Sequence, residues 1–268
     1  MQESFKKDGL PGHRRAEAIP FFERLCPAMT ELDVHMLNSL PVVLVPGLAC
    51  SPRIYDPQIP ALWRQGPVFI ANHARGGDMA AIARRILAEA PLRFALAGHS
   101  MGGYIVLEMF RQAPERVARL ALLNTSARPE APEVSEKRRA MIAEVKQGGY
   151  RAVMDRMFAN FVHPALARDE HLHRIVLDMA DDVGPDAFVW QVEAIMTRAD
   201  SRPTLATIKC PTLVLTSDTD NMVPTDASVE IANGIAGAKL VTIQDCGHLT
   251  QLEKPQEVTD ALLDWLEM

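Results

Sequence analysis

Phe94-Ala95-Leu96-Ala97-Gly98-His99-Ser100-Met101-Gly102-Gly103-Tyr104 is the stretch that decides how this chain folds. A short apolar run of strand type enters Gly-x-Ser-x-Gly, and a helical stretch, Ile105–Gln112, follows until Pro114 stops it. So abrupt a passage from strand to helix forces Ser100 into a strained backbone conformation. Side chains at 98 and 102 would collide with neighbouring backbone, hence the glycines. The turn lifts the serine hydroxyl above the carboxyl edge of a sheet, at the start of a helix whose dipole favours a developing anion. A turn that merely packs a helix on a strand has no use for a polar side chain at its apex, so Ser100 is the candidate nucleophile. His99 reads as a hydrogen-bonded core residue that points away from substrate.

Outward from this stretch, strands and helices alternate. Short β-branched or Leu-rich runs recur at Val42–Val45, Val68–Ala71, Phe94–Ala97, Val117–Leu123, Thr212–Thr216 and Lys239–Ile243. Unbroken apolar runs of this length suit parallel strands buried on both faces. Met79, Ile82, Ala83, Ile86, Leu87 and Ala90 form a helical stripe, with Asp78 placed to cap its start and Pro91 just past its end. Val258, Ala261, Leu262, Trp265 and Leu266 form another near the C-terminus. Such alternation implies right-handed crossovers and a doubly wound, mostly parallel α/β sheet. Between residues 127 and 207 no strand-like run occurs, only helical segments rich in Met, Phe and Arg. This reads as a helical cap inserted into a core made of residues 1–126 and 208–268. The bulky Met, Phe and Trp residues between Met141 and Met196, Trp190 among them, are candidates for the pocket wall. Residues 1–40 show no convincing strand hairpin.

A serine hydroxyl needs a base within hydrogen-bond reach. Among the eight histidines, His248 lies in Asp245-Cys246-Gly247-His248, just after the last strand-like run. Loops after parallel strands gather at the carboxyl edge, where the serine sits. Asp218, Asp220, Asp226 and Asp245 compete as the acid that orients it. Asp220 is preferred by its four-residue offset from Pro224, with Asp218 second as a turn-former. A location after the preceding strand is closed, because Asn124 there carries no negative charge. The amides of Met101 and of Leu48, in the loop Pro46-Gly47-Leu48-Ala49-Cys50, are the expected oxyanion donors.

Together these features resemble the α/β-hydrolase superfamily: Val42-Val43-Leu44-Val45-Pro46-Gly47, Gly98-His99-Ser100-Met101-Gly102-Gly103, Asp220 with Val223-Pro224, and Gly247-His248 with Glu253-Lys254-Pro255. The resemblance implies an α/β-hydrolase fold and a serine hydrolase cleaving a carboxylic ester through an acyl-enzyme, without a cofactor. A lactone, thioester, amide or carbon–carbon bond is the alternative substrate, and a ligand receptor on the same fold the non-enzymatic one. The aspartate nucleophile of epoxide hydrolases and haloalkane dehalogenases is replaced here by Ser100.

Charge and composition narrow the partners. With 28 basic and 34 acidic residues the net charge is −6, which argues against a nucleic-acid partner. No apolar run approaches the ~20 residues that cross a bilayer, and no signal-peptide core follows Lys6, Lys7, Arg14 and Arg15. Cys26, Cys50, Cys210 and Cys246 lack paired or metal-type spacing, which suits reduced thiols in a cytoplasmic protein. His171-x-His173 resembles a metal pair, but residues two apart on a helix face different sides, so no metal is expected. The partner is a small-molecule substrate.

Overall fold

The computed structural model describes residues 40–268. The expectations for the chain before residue 40, including the absent hairpin and the Cys26 thiol, lie outside the described residues.

Six parallel strands, β1 (Val42–Val45), β2 (Val68–Ile70), β3 (Phe94–His99), β4 (Val117–Leu123), β5 (Thr212–Ser217) and β6 (Lys239–Ile243), form one sheet in the order β2-β1-β3-β4-β5-β6. Every residue of β1, β3 and β5 is buried, which is why these strands read as unbroken apolar runs. Their side chains alternate between the faces. Val42, Leu44, Ala95, Ala97, Ala121 and Leu123 enter one apolar cluster, and Val43, Val45, Phe94, Leu96, Leu120 and Leu122 the other. Helices α1 (Ile59–Trp63) and the C-terminal α10 (Pro255–Glu267) cover the first face through Leu62, Leu262 and Trp265. The second is covered by α2 (Met79–Glu89), α3 (Met101–Gln112) and α9 (Thr225–Gly234) through Ile82, Ile105 and Ile231. Asp78 caps α2 by accepting from the Ala81 amide at 2.8 Å.

Against the sequence reading β2 ends one residue earlier, at Ile70, β5 ends one later, at Ser217, and two boundaries differ at the elbow. Strand β3 continues to His99, because Gly98 and His99 still pair with Leu122 and Leu123 of β4. Helix α3 starts at Met101 rather than Ile105, its first turn containing glycines that no apolar stripe marks.

Between β4 and β5 the chain forms helices joined by loops and no strand. In order it forms α4 (Pro132–Glu144), α5 (Tyr150–Phe161), α6 (Glu170–Val183), α7 (Pro185–Met196) and the short α8 (Arg202–Leu205). Met154, Phe158, Phe161, Met179 and Phe188 from this segment join the cluster on the first sheet face. Trp190 behaves otherwise, being 43% exposed and lying against Gly76. Among the described residues no helix is long and apolar enough to cross a membrane.

Candidate active site

Ser100 links β3 to α3 with φ 54° and ψ −118°, a region that side-chain-bearing residues rarely occupy. Its neighbours impose this. A Cβ on Gly98 would lie 2.4 Å from the Gly102 carbonyl oxygen, and one on Gly102 would lie 2.1 Å from that of Val45. The Ser100 amide donates to the Leu123 carbonyl at 2.9 Å, and the Thr125 hydroxyl donates to the Ser100 carbonyl at 2.7 Å. Both β4 and the loop after it therefore hold the turn.

His248 and Asp220 meet this serine. His248 Nε2 is 2.8 Å from Ser100 Oγ, and Nδ1 is 2.8 Å from Asp220 Oδ2. With its proton on Nδ1, the imidazole accepts from the serine hydroxyl through Nε2 and donates to the carboxylate. The Asp220 side chain has no solvent exposure. Its Oδ1 accepts from the amides of Met222 and Val223 at 2.7 and 2.9 Å, and its Oδ2 accepts from Asn124 Nδ2 at 3.0 Å. Burial pushes this carboxyl upward, but His248, the Val223 amide and Asn124 outweigh it and hold it below its ordinary range.

The competing aspartates have other partners. Asp218 accepts from the amides of Asp245 and Cys246 at 3.0 and 3.2 Å and so shapes the His248 loop. Asp226 pairs with Arg128. Asp245, at φ 50°, forms the turn.

The loop after β1 brings Leu48 beside the serine, and the amides of Leu48 and Met101 find no acceptor among the described residues. His73 Nε2 bonds the Gly47 carbonyl at 2.8 Å. Ala49 takes a left-handed φ of 56°, and its amide donates to Gln191 Oε1 of α7 at 3.0 Å. The helical segment braces the histidine loop as well. The Phe161 carbonyl accepts from the amides of His248 and Leu249 at 2.9 and 3.1 Å. Glu253 accepts from His163, Gly247 and Leu249 amides at 2.7, 3.0 and 3.0 Å.

These groups open onto a cavity whose empty space, counted out through its mouth into solvent, is about 590 Å³. Leu48, Ser100, Met101 and His248 form its floor, and Tyr104, Arg138, Met154, Phe161, Val176 and Met179 are among its walls. His99 contributes to the wall too, although it is buried and bonds the His248 carbonyl through Nε2 at 2.9 Å. Burial and the neighbouring His248 push its pKa down to about 3, so it stays neutral.

The two histidines of the α6 pair have separate surroundings. His173 stacks on Phe158 at 4.5 Å and lies 3.0 Å from Asp155, while His171 is exposed beside Arg174. Among the described residues no group of three or more His, Cys, Asp or Glu is arranged to hold a metal.

Sequence reasoning placed Ser100, His248, Asp220, Leu48 and Met101, and the structure gathers all five. It missed Gln191, Thr125, the Phe161 carbonyl and the part played by Asn124. In the sequence Asn124 marks only a position after β4 that carries no acid. It takes φ 46°, donates to Asp220 and Ser217, and accepts from Thr250 at 3.0 Å. Its one available signal was a polar residue ending an otherwise apolar strand.

A parallel sheet with a strained serine turn at its carboxyl edge is the framework of the α/β-hydrolases. The chain belongs to the family described as alpha/beta hydrolase fold, which matches residues 41–255. It is similar to "Putative carbamate hydrolase RutD" of Variovorax paradoxus, 31% identical, over 84% of this chain and 91% of that protein. Among solved structures it resembles the enol-lactonase of Burkholderia xenovorans LB400, with TM-score 0.77, 26% identity, and 86% and 92% of the two chains covered. A thermophilic esterase from Thermogutta terrifontis superposes with TM-score 0.76 at 28% identity, covering 85% of this chain and 89% of that one.

Proposed function

We propose that this protein is a serine hydrolase that cleaves a carboxylic ester of a small molecule through an acyl-enzyme. The observation that carries the reading is the hydrogen-bonded line that starts at Ser100 in the cavity floor and runs through His248 to the buried side chain of Asp220. Ser100 Oγ attacks the carbonyl carbon while His248 Nε2 takes its proton. Asp220 fixes the tautomer and stabilises the imidazolium. The amides of Leu48 and Met101 hold the oxyanion, Met101 from the first turn of α3. The imidazolium then protonates the leaving alcohol, and water activated by His248 Nε2 releases the acid and restores Ser100.

Esterase and enol-lactonase relatives support an acyl bond as the target, and the carbamate hydrolase relative supports it too. A lactone is the second reading, because the same steps open a cyclic ester and leave the alcohol tethered. A receptor on this fold would bind without turnover. The test mixes the protein rapidly with p-nitrophenyl acetate. The reading expects a burst of nitrophenolate stoichiometric with enzyme, and an acid-quenched acetyl group on the peptide containing Ser100. An acetyl group on another residue, or release without any acyl-protein, contradicts it.

A further inference from the structure

Among the described residues Arg138 is the one permanently charged side chain in the cavity wall, and no Asp or Glu lines that cavity. It projects from α4 with its side chain only 17% exposed. Its Nε donates to Glu130 Oε1 at 2.8 Å. The other Glu130 oxygen accepts from Arg198. Glu130 is thus one carboxylate between two guanidinium groups. Burial pushes its carboxyl upward, but Arg138 and Arg198 outweigh this and hold it below its ordinary range, so it remains an anion. The cluster carries two positive charges and one negative.

The two arginines are not equivalent. Arg198 donates to the carbonyls of Arg128 and Ile195, each at 3.0 Å, and lies 4.4 Å from the Tyr104 ring centroid. Its guanidinium is committed to the protein. Arg138 has only its Nε engaged, and its two terminal nitrogens have no acceptor among the described residues. The remaining buried carboxylate of the site, Asp220, is spent on His248, Asn124 and backbone amides. A guanidinium held by its Nε, with terminal nitrogens that take no protein acceptor among the described residues, leaves its fork open to a ligand in the cavity. A planar carboxylate fits that fork, whereas a neutral ester or a cation does not.

We propose that Arg138 is the subsite for a carboxylate of the substrate, so that the preferred substrate is an anionic acyl compound whose charge lies remote from the scissile carbonyl. The inference rests on the acyl-hydrolase reading above. Hydrogen bonds to charged groups of this kind correspond to about tenfold to a hundredfold in binding.

The test uses two matched pairs. Mono-p-nitrophenyl glutarate against p-nitrophenyl pentanoate places the charge on the acyl side, and acetylated 3-hydroxypropanoate against propyl acetate places it on the alcohol side. Wild type should favour the anionic member of at least one pair by about tenfold or more in kcat/KM. Arg138→Met should bring that ratio close to one, whatever the absolute rates, and Arg138→Lys should keep the preference in the same direction. A wild-type ratio near or below one in both pairs overturns the proposal, as does a ratio that Arg138→Met leaves unchanged. A parallel calorimetric titration of Ser100→Ala with glutarate and glutaramide needs no turnover. Glutarate should bind more tightly, and adding Arg138→Met should abolish the difference. If no ester is turned over yet glutarate binding depends on Arg138, the reaction reading fails and the subsite stands. Equal binding of the two ligands sinks the subsite alone.

Discussion

Asp220→Asn is the perturbation for which the structure dictates the outcome in most detail. Oδ1 of Asp220 accepts from two backbone amides, Met222 at 2.7 Å and Val223 at 2.9 Å. An asparagine keeps those bonds only with its carbonyl oxygen on that side, which turns its NH₂ toward His248 Nδ1 and Asn124 Nδ2. Both currently donate to Oδ2, from 2.8 and 3.0 Å. Three donors would then face one another. Relief comes if the imidazole moves its proton to Nε2, and Nδ1 accepts from the new amide. That tautomer has no lone pair for the Ser100 hydroxyl, and the charge that stabilised the imidazolium is gone. The expected loss in turnover is on the order of 10⁴, or about 5.4 kcal/mol in barrier. Asp218 Oδ2 accepts from the Asp245 amide and Oδ1 from the Cys246 amide, so Asp218→Asn loses one of these loop bonds, but it removes no charge from beside His248 and should cost less than tenfold. Steady-state rates of both variants on any accepted ester decide between them. If Asp220→Asn retains a tenth of wild-type activity, or Asp218→Asn is the crippled variant, the reasoning is refuted.

Three further outcomes follow from particular contacts. His99 and His73 are buried and pushed to lower pKa, His99 to about 3, both chiefly by burial. The unfolded chain binds the His99 proton below about pH 6.5 while the folded one does not until about pH 3, so as pH drops through that window stability falls by up to about 1.4 kcal/mol per unit, and His73 acts in the same direction. The urea midpoint at pH 5 should lie below that at pH 7.5, and equal midpoints would contradict this. Gln191→Leu leaves the Ala49 amide, next to Leu48, without its acceptor, a cost of about 1–3 kcal/mol. We expect kcat to fall about tenfold with a smaller change in KM, and unaltered steady-state kinetics would show that the loop does not need this brace. Gly102→Ala sets a Cβ against the Val45 and Pro46 carbonyl oxygens at 2.1 and 2.7 Å. Backbone on that side cannot give way cheaply, so thermal unfolding should reveal a loss of at least about 1–3 kcal/mol, and a wild-type melting temperature would contradict it.

The strands were legible because a parallel sheet buried on both faces writes itself as unbroken apolar runs. The elbow was legible because steric need fixes glycine at 98 and 102. Asp220 could be preferred over Asp218 from its offset to Pro224, although only the fold shows that Asp218 binds the Asp245 and Cys246 amides instead. What stayed hidden has a common cause. The Phe161 carbonyl that holds His248 is a backbone atom and has no side-chain signature. Gln191 reaches Ala49 across 142 residues of sequence, and Arg138 looks in the sequence like part of the solvated run Lys137-Arg138-Arg139. Exposed helix faces and pocket walls use the same residue types, so only packing separates them. Ser100, Asp220 and His248 lie outside the helical segment, yet Gln191 and the Phe161 carbonyl make that segment a brace for the Leu48 and His248 loops.

The central claim, that Ser100 is the attacking group, is tested most directly by the turnover of Ser100→Ala on an ester that the wild type hydrolyses. The substitution deletes only Oγ and leaves the amide and carbonyl bonds of the elbow in place, so the fold should be retained, as circular dichroism would verify. Loss of a member of such a triad costs on the order of 10⁴ to 10⁶ in rate, and the account predicts a loss of that size. A folded variant that keeps a tenth of the wild-type rate would contradict it.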